Sequence, residues 1–272
     1  MMIILGDTAN PAPLINDPEL EAMMEAGVHL GHSRSRRNPG MTPYLWGMRN
    51  NVEIIDLTKT KEHLDVALAF LKRLAGERKM ILFVGTRPSS RDLLRKTADA
   101  LGSPWVAERW IGGALTNFRV VRKRVETLEG LEHEKATGGF EKYPKKEQIQ
   151  KEKEIAKLTK NFDGLRRLTR LPDAVVIVDI VHDDLALREA RRIKVPVVAL
   201  TDTNTDPRLV QYPIPANDDA RTAVLFMLER MAAAIRDGMR AAEQAPAAEQ
   251  QTPAPAVSQA SVPAADRGTA AA

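Results

Sequence analysis

Cysteine is absent from the 272-residue chain, and with it go disulfide frameworks, thiolate zinc sites and cysteine nucleophiles. That absence is compatible with a reducing cytosol. No apolar run approaches the roughly 20 residues that would span a bilayer, so no membrane partner is expected. The N-terminal stretch MMIILGDTANPAP lacks the basic region of a secretory signal. There is no G-x-x-x-x-G-K-[ST], no G-x-G-x-x-G, no H-E-x-x-H and no zinc-finger spacing. No Ser–His–Asp grouping can be argued from local spacing, so no enzyme nucleophile stands out and no cofactor is expected.

What is present is an ordinary soluble composition, 43% hydrophobic and 28% charged, with net charge +4 and a pI near 9.3. The charge is unevenly placed. Residues 119–170 hold 15 Lys+Arg against 9 Asp+Glu, and residues 1–240 hold 39 against 33. The segment therefore carries the whole basic excess of the part expected to fold. Such a concentration points to a phosphate-rich partner more than to a small-molecule substrate.

The pattern along the chain predicts an α/β fold, a Rossmann-like doubly wound parallel sheet. Asp17-Pro18 opens a helix that Gly27 ends, Val52–Ile55 is a short strand, and MILFV, AVVIV and PVVAL are buried parallel strands. Leucines 64, 68, 71 and 74 mark a helix that Gly76 stops. A final helix is expected from Asp218 to Met239, capped by Asn217. Within the charged segment, Phe118, Val121, Val125 and Leu128 form one ladder, and Ile155, Leu158, Phe162 and Leu165 form another. Gly138-Gly139 and Pro144 break the helix between them, so an antiparallel coiled-coil hairpin is expected. The organisation read from this is a flexible lead-in (1–17), a sheet domain (18–117 and 171–240), the hairpin insertion (118–170) and a disordered Ala/Pro/Gln tail (241–272).

Several local features invite chemistry. Gly85-Thr86 follows a strand where doubly wound folds bind phosphates, but GTRPSSRD reads better as a βα turn. Asp179, Asp202 and Asp206 near strand ends would suit Mg²⁺ in a nucleotide hydrolase; Asp and Asn are equally the usual turn formers there. His29 and His32 in HLGH lack a third ligand, and a polar loop is the preferred reading. Arg34, Arg36 and Arg37 suit phosphates, with Tyr44 and Trp46 near enough in sequence to stack on bases. In the insertion the basic clusters are Arg122, Lys123 and Arg124, then Lys145 and Lys146, then Arg166 and Arg167.

The strings AGVHLGHSRSRRNPGMTPYLWGMRNNVEIIDLTKT, ILFVGT, ERWIGGALTNF, FEKYPKKE, RLPDAVVIVD and IKVPVVALTDTNTDPRLVQYPIPANDDA resemble, in order, blocks of the S-two family of small-subunit ribosomal proteins, of bacterial type. The resemblance spans roughly residues 20–235. It implies a non-enzymatic structural constituent of the small ribosomal subunit, cytoplasmic, binding small-subunit rRNA beside neighbouring proteins and helping dock the large mRNA-binding protein S-one. Residues expected to meet RNA are Arg34, Arg36, Arg37, Arg119, Arg122, Lys123, Arg124, Arg166 and Arg167, with Arg109, Trp110 and Asn117 beside them. Gly40, Glu53 and Thr205 depart from residues common in the family. The rival readings are the Mg²⁺-dependent hydrolase and a scaffold that binds acidic proteins through the hairpin alone.

Overall fold

Asp17 and Pro18 set the first turn. In the computed structural model, which describes residues 17–244, the Asp17 carboxylate accepts the Glu19 N–H at 2.9 Å and starts α1 (Pro18–Glu25). The expected lead-in up to residue 16 lies outside the described residues, as does the tail from 245 onward. Next come β1 (Leu30–Ser33), β2 (Leu45–Arg49) and β3 (Val52–Ile55), an antiparallel sheet in the order β1-β3-β2. Asn50 and Asn51, both at positive φ, close the β2–β3 hairpin. Only β3 was expected. In HLGH, His29 lies in a turn, but Leu30, Gly31 and His32 belong to β1 and not to a loop, because pairing with the β-branched VEII run orders residues whose own strand preference is weak.

The second sheet is fully parallel. α2 (Leu57–Gly76) leads to β4 (Ile81–Val84), α3 (Pro88–Ala100) and β5 (Trp105–Val106). Beyond the insertion come β6 (Ala174–Ile177), α6 (Asp184–Arg192), β7 (Val197–Thr201), β8 (Tyr212–Pro215) and α7 (Arg221–Gln244). The strand order is β5-β4-β6-β7-β8, so the winding reverses between β4 and β6, as in doubly wound folds. Side chains alternate between two cores. Phe83 and Val176 pack with α2, α3 and α7, while Leu82, Val84 and Val175 pack with α6 and the insertion. β8 was not expected, since two prolines interrupt YPIP. It survives at the sheet edge, where a missing N–H costs least.

The insertion forms two helices, α4 (Phe118–Ala136) and α5 (Lys145–Phe162), joined through Gly138 in the left-handed conformation and a short 3₁₀ turn. Val121, Val125 and Leu128 of α4 share one buried cluster with Leu158 and Phe162 of α5, continuous with the sheet core. Helix α7 runs past the expected end at Met239, so residues 241–244 are helical and not part of a disordered tail. Ala241, Ala242, Glu243 and Gln244 are all good helix formers and simply continue it.

Candidate nucleic-acid interface

Arg34, Arg36 and Arg37 sit at the end of β1, on a 3₁₀ turn that carries them into solvent. Asn38 N–H donates to the Thr203 carbonyl at 2.7 Å and His32 N–H to Thr203 Oγ1 at 2.8 Å, tying this turn to the end of β7. Arg34 and Arg36 have no ion-pair partner among the described residues. Arg37 does: its guanidinium lies 3.5 Å from the buried Glu53 carboxylate. Tyr44 packs edge-on against His63, whereas Trp46 stands 43% exposed on β2.

Arg109, Trp110 and Asn117 belong to the loop that leads into α4, and the structure separates their roles. Trp110 is buried, its indole Nε1–H donating to Glu189 on α6 at 3.1 Å. The same carboxylate accepts the backbone N–H groups of Gly113, Leu115 and Thr116 at 2.7–3.1 Å and the Thr116 hydroxyl at 3.0 Å. Burial alone would raise the Glu189 pKa, but these hydrogen bonds outweigh it and hold the carboxyl below its ordinary range. WIGGALTNF is thus wrapped around one anion. Arg109 and Asn117 remain exposed at its two ends. Glu189 was missed in the sequence, where REARR reads as a solvated helix face; the one local signal is its place beside Ala186, Leu187 and Ala190 on the buried side of α6.

On the hairpin, Arg119, Lys123 and Arg124 are exposed and have no ion-pair partner among the described residues. Their neighbours are engaged. Arg166 makes a two-pronged pair with Glu132 at 2.7 and 2.8 Å and a further bond to Asp163 at 2.9 Å. The Glu132 bonds above all raise the Arg166 pKa further. Arg122 lies 3.5 Å from Glu126 and donates to the Arg166 carbonyl at 3.2 Å. Arg167 reaches Asp99 on α3 at 3.2 Å. At the base of α5, a Cβ on Gly164 would come within 2.2 Å of the Trp105 carbonyl oxygen, so only glycine seats the hairpin this closely against β5.

The reversal between β4 and β6 is lined with acid. Asp183 accepts both the Thr86 N–H at 3.1 Å and the Thr86 hydroxyl at 2.7 Å, so a carboxylate already holds the donors a phosphate would use. Asp179 accepts the Val181 and His182 N–H groups at 2.9 Å each and lies 3.1 Å from Arg87. Asp206 caps its own turn and binds Arg208. Burial, with the charges of Asp179 and Asp202, pushes the Asp218 carboxyl up to about 9. His32 lies between Asp202 at 3.1 Å and Asp219 at 3.2 Å; the Asp202 bond raises its pKa, while burial lowers that of His29. Among the described residues, no three His, Asp or Glu side chains are arranged to hold a metal ion.

The chain matches the family model described as ribosomal protein S2 over residues 23–238. It is 45% identical over 211 residues to the small ribosomal subunit protein uS2 of Thermus thermophilus, covering 78% of this chain and 82% of that one. The protein of the same description from Coprothermobacter proteolyticus is 43% identical over 219 residues, covering 80% of this chain and 82% of its own length.

Proposed function

Because the chain belongs to the ribosomal protein S2 family, we propose that it binds small-subunit rRNA through two exposed sets of cations. One is Arg34 and Arg36 beside β1; the other is Arg109, Arg119, Lys123 and Arg124 at the root and first limb of the hairpin. The chain is a structural, non-enzymatic component of the small ribosomal subunit and acts in translation in the cytoplasm. The observation that carries the RNA reading is a division of labour within single strings. In RSRR and RVVRKR some cations are tied to carboxylates, and the rest face solvent without one. Cations kept free of internal partners are available to phosphates.

In this reading the sheet domain (18–117 and 171–240) is a rigid body, and the insertion (118–170) is an antiparallel coiled coil that lays its cations along RNA. A-form RNA hides its base edges, so the contacts are to phosphates and 2′-hydroxyls and shape is what is recognised. Arg37, Arg122, Arg166 and Arg167 act mainly as braces, and Trp110 as packing. Docking of S-one, which the sequence resemblance implies, belongs to the same proposal.

The test is reconstitution. Small subunits lacking this protein are mixed with it and sedimented through sucrose at increasing salt. With about six phosphates neutralised, affinity falls roughly 10³-fold between 50 and 200 mM salt by the rule for duplex DNA. Co-sedimentation that ignores salt overturns the electrostatic account.

A further inference from the structure

The seam between α4 and α5 fixes which way every other side chain on the hairpin points. On α5 the inward positions are Ile155, Leu158 and Phe162. At about 100° per residue, Lys146, Lys153, Lys157 and Lys160 fall on the opposite side, and all four are exposed. On α4 the same reasoning places Arg119 and Lys123 directly away from Val121, Val125 and Leu128. In a two-helix hairpin the outer faces of the two limbs look in opposite directions. The lysine row on α5 is therefore a different surface from the α4 cations.

Charge pairing along α5 is uneven in a way that a solvated Glu–Lys face is not. Lys151, which turns toward the seam, lies 3.4 Å from Glu134. Glu152 is taken by Lys135 at 2.8 Å. Lys146, Lys153 and Lys157 have no ion-pair partner among the described residues, and Lys160 reaches only Glu108, at 3.9 Å. Lys153 and Lys157 stand i,i+4, and Lys157 and Lys160 stand i,i+3. Like charges at those spacings repel, by a few tenths of a kcal/mol per pair in helices. The row extends about 21 Å at 1.5 Å per residue. A row of that length, with one long ion pair to Glu108 as its sole ion pair among the described residues, matches a polyanion lying along it.

We propose that the outer face of α5 is a second RNA-backbone contact, so that the hairpin lies between two separate rRNA segments and bridges them. This rests on the rRNA reading above and adds a surface to it. The two faces differ in chemistry. Lysines act as point charges that tolerate varied phosphate positions, while Arg119 and Arg124 on the other limb suit fixed two-pronged contacts. The α5 face therefore accommodates a segment whose backbone path is less regular.

Small subunits lacking this protein are rebuilt with the full-length wild type, with a variant carrying Lys146→Gln, Lys153→Gln, Lys157→Gln and Lys160→Gln, or with one carrying Arg119→Gln, Lys123→Gln and Arg124→Gln. Glutamine keeps helix propensity, and circular dichroism and melting check that each variant folds. Hydroxyl-radical footprinting of the rRNA is the readout. The wild type is expected to protect two sets of nucleotides, one lost with each variant, and four Lys→Arg changes on α5 restore the set that glutamine removed. Docking of the α5 glutamine variant also loses roughly one unit of salt slope per contact removed. Unchanged protections with the α5 variant overturn the proposal, as does loss of one common set in both variants. Protections kept while a cross-link to a neighbouring protein disappears also overturn it, in favour of an acidic protein partner. If the wild type leaves no footprint at all, the rRNA reading itself has failed.

Discussion

Trp110 and Glu189 are 79 residues apart in sequence, yet the indole of one donates to the carboxylate of the other at 3.1 Å. That bond belongs to a shell made entirely of donors, three backbone N–H groups and one hydroxyl besides the indole. Glu189→Gln would turn an amide N–H toward those donors. A loss of about 2 kcal/mol is expected in urea unfolding, the scale of a broken buried bond to a charged group. The pH dependence follows from the sign of the shift. The folded pKa lies below the ordinary 4.5, so the contribution is complete above that value and fades as pH falls through the folded pKa. The gap between wild type and variant should therefore close in acid; a gap that widens there contradicts this picture.

Arg124 and Arg166 should separate binding from stability. Arg124→Gln is expected to lower the salt slope of subunit docking by about one unit and leave melting unchanged within about 0.5 kcal/mol. Arg166→Gln removes a half-exposed brace to Glu132 and Asp163. It should destabilise the hairpin by about 1 kcal/mol, discounted for solvent screening, with no change of slope. Salt titrations of docking, run beside thermal melts, read both quantities. A reversal of the two outcomes would mean that the wrong arginine has been assigned to RNA.

Gly164→Ala places a methyl group against the backbone of Trp105, where neither side can yield cheaply. Overpacking of this kind costs about 1–3 kcal/mol. Because Trp105 is itself displaced, its near-ultraviolet circular dichroism should change along with the melting temperature. Melting that falls with no change in the Trp105 signal would locate the strain elsewhere.

Gly130 is the opposite case. It lies inside α4 with nothing within 4 Å of where a Cβ would stand. Gly130→Ala should stabilise the isolated chain by about 0.5–1 kcal/mol through helix propensity alone. A loss of stability on chemical denaturation would show that the helix has a packing demand there.

The central strands were legible because a parallel strand buried on both faces writes itself as an unbroken apolar run. Both hairpin ladders were legible for a related reason: a seam needs apolar residues at 3–4 spacing. The strands β1, β2 and β8 were not. LGHS, LWGMR and YPIP carry glycine or proline, and only their neighbours make them strands. The free cations could not be told from the braced ones either. Arg166 and its partner Glu132 are 34 residues apart and meet only once the hairpin has closed. Arg37 lies 3.5 Å from the buried Glu53 carboxylate, so its local string RSRR overstates its free charge.

Met80 N–H donates to the Asp173 carboxylate across 93 residues of sequence, and β4 pairs with β6 at the same join. Closing so long a loop in a disordered chain delays the pairing of β4 with β6, which joins the two halves of the sheet, β5-β4 and β6-β7-β8. Contacts along the seam of α4 and α5 close shorter loops, 34 residues for Glu132 with Arg166 and 44 for Arg122 with Arg166, so the seam can form before that closure. Once folded, it brings Arg122 and Arg166 together and roughly halves the length of free chain to be closed, worth about 0.6 kcal/mol in loop entropy. The saving in equilibrium stability is small. Its larger effect is on the order of events, since the local contacts form early and the non-local pairing comes late. The segment that supplies the basic cations thus also serves as a splint for assembling the sheet from which it projects.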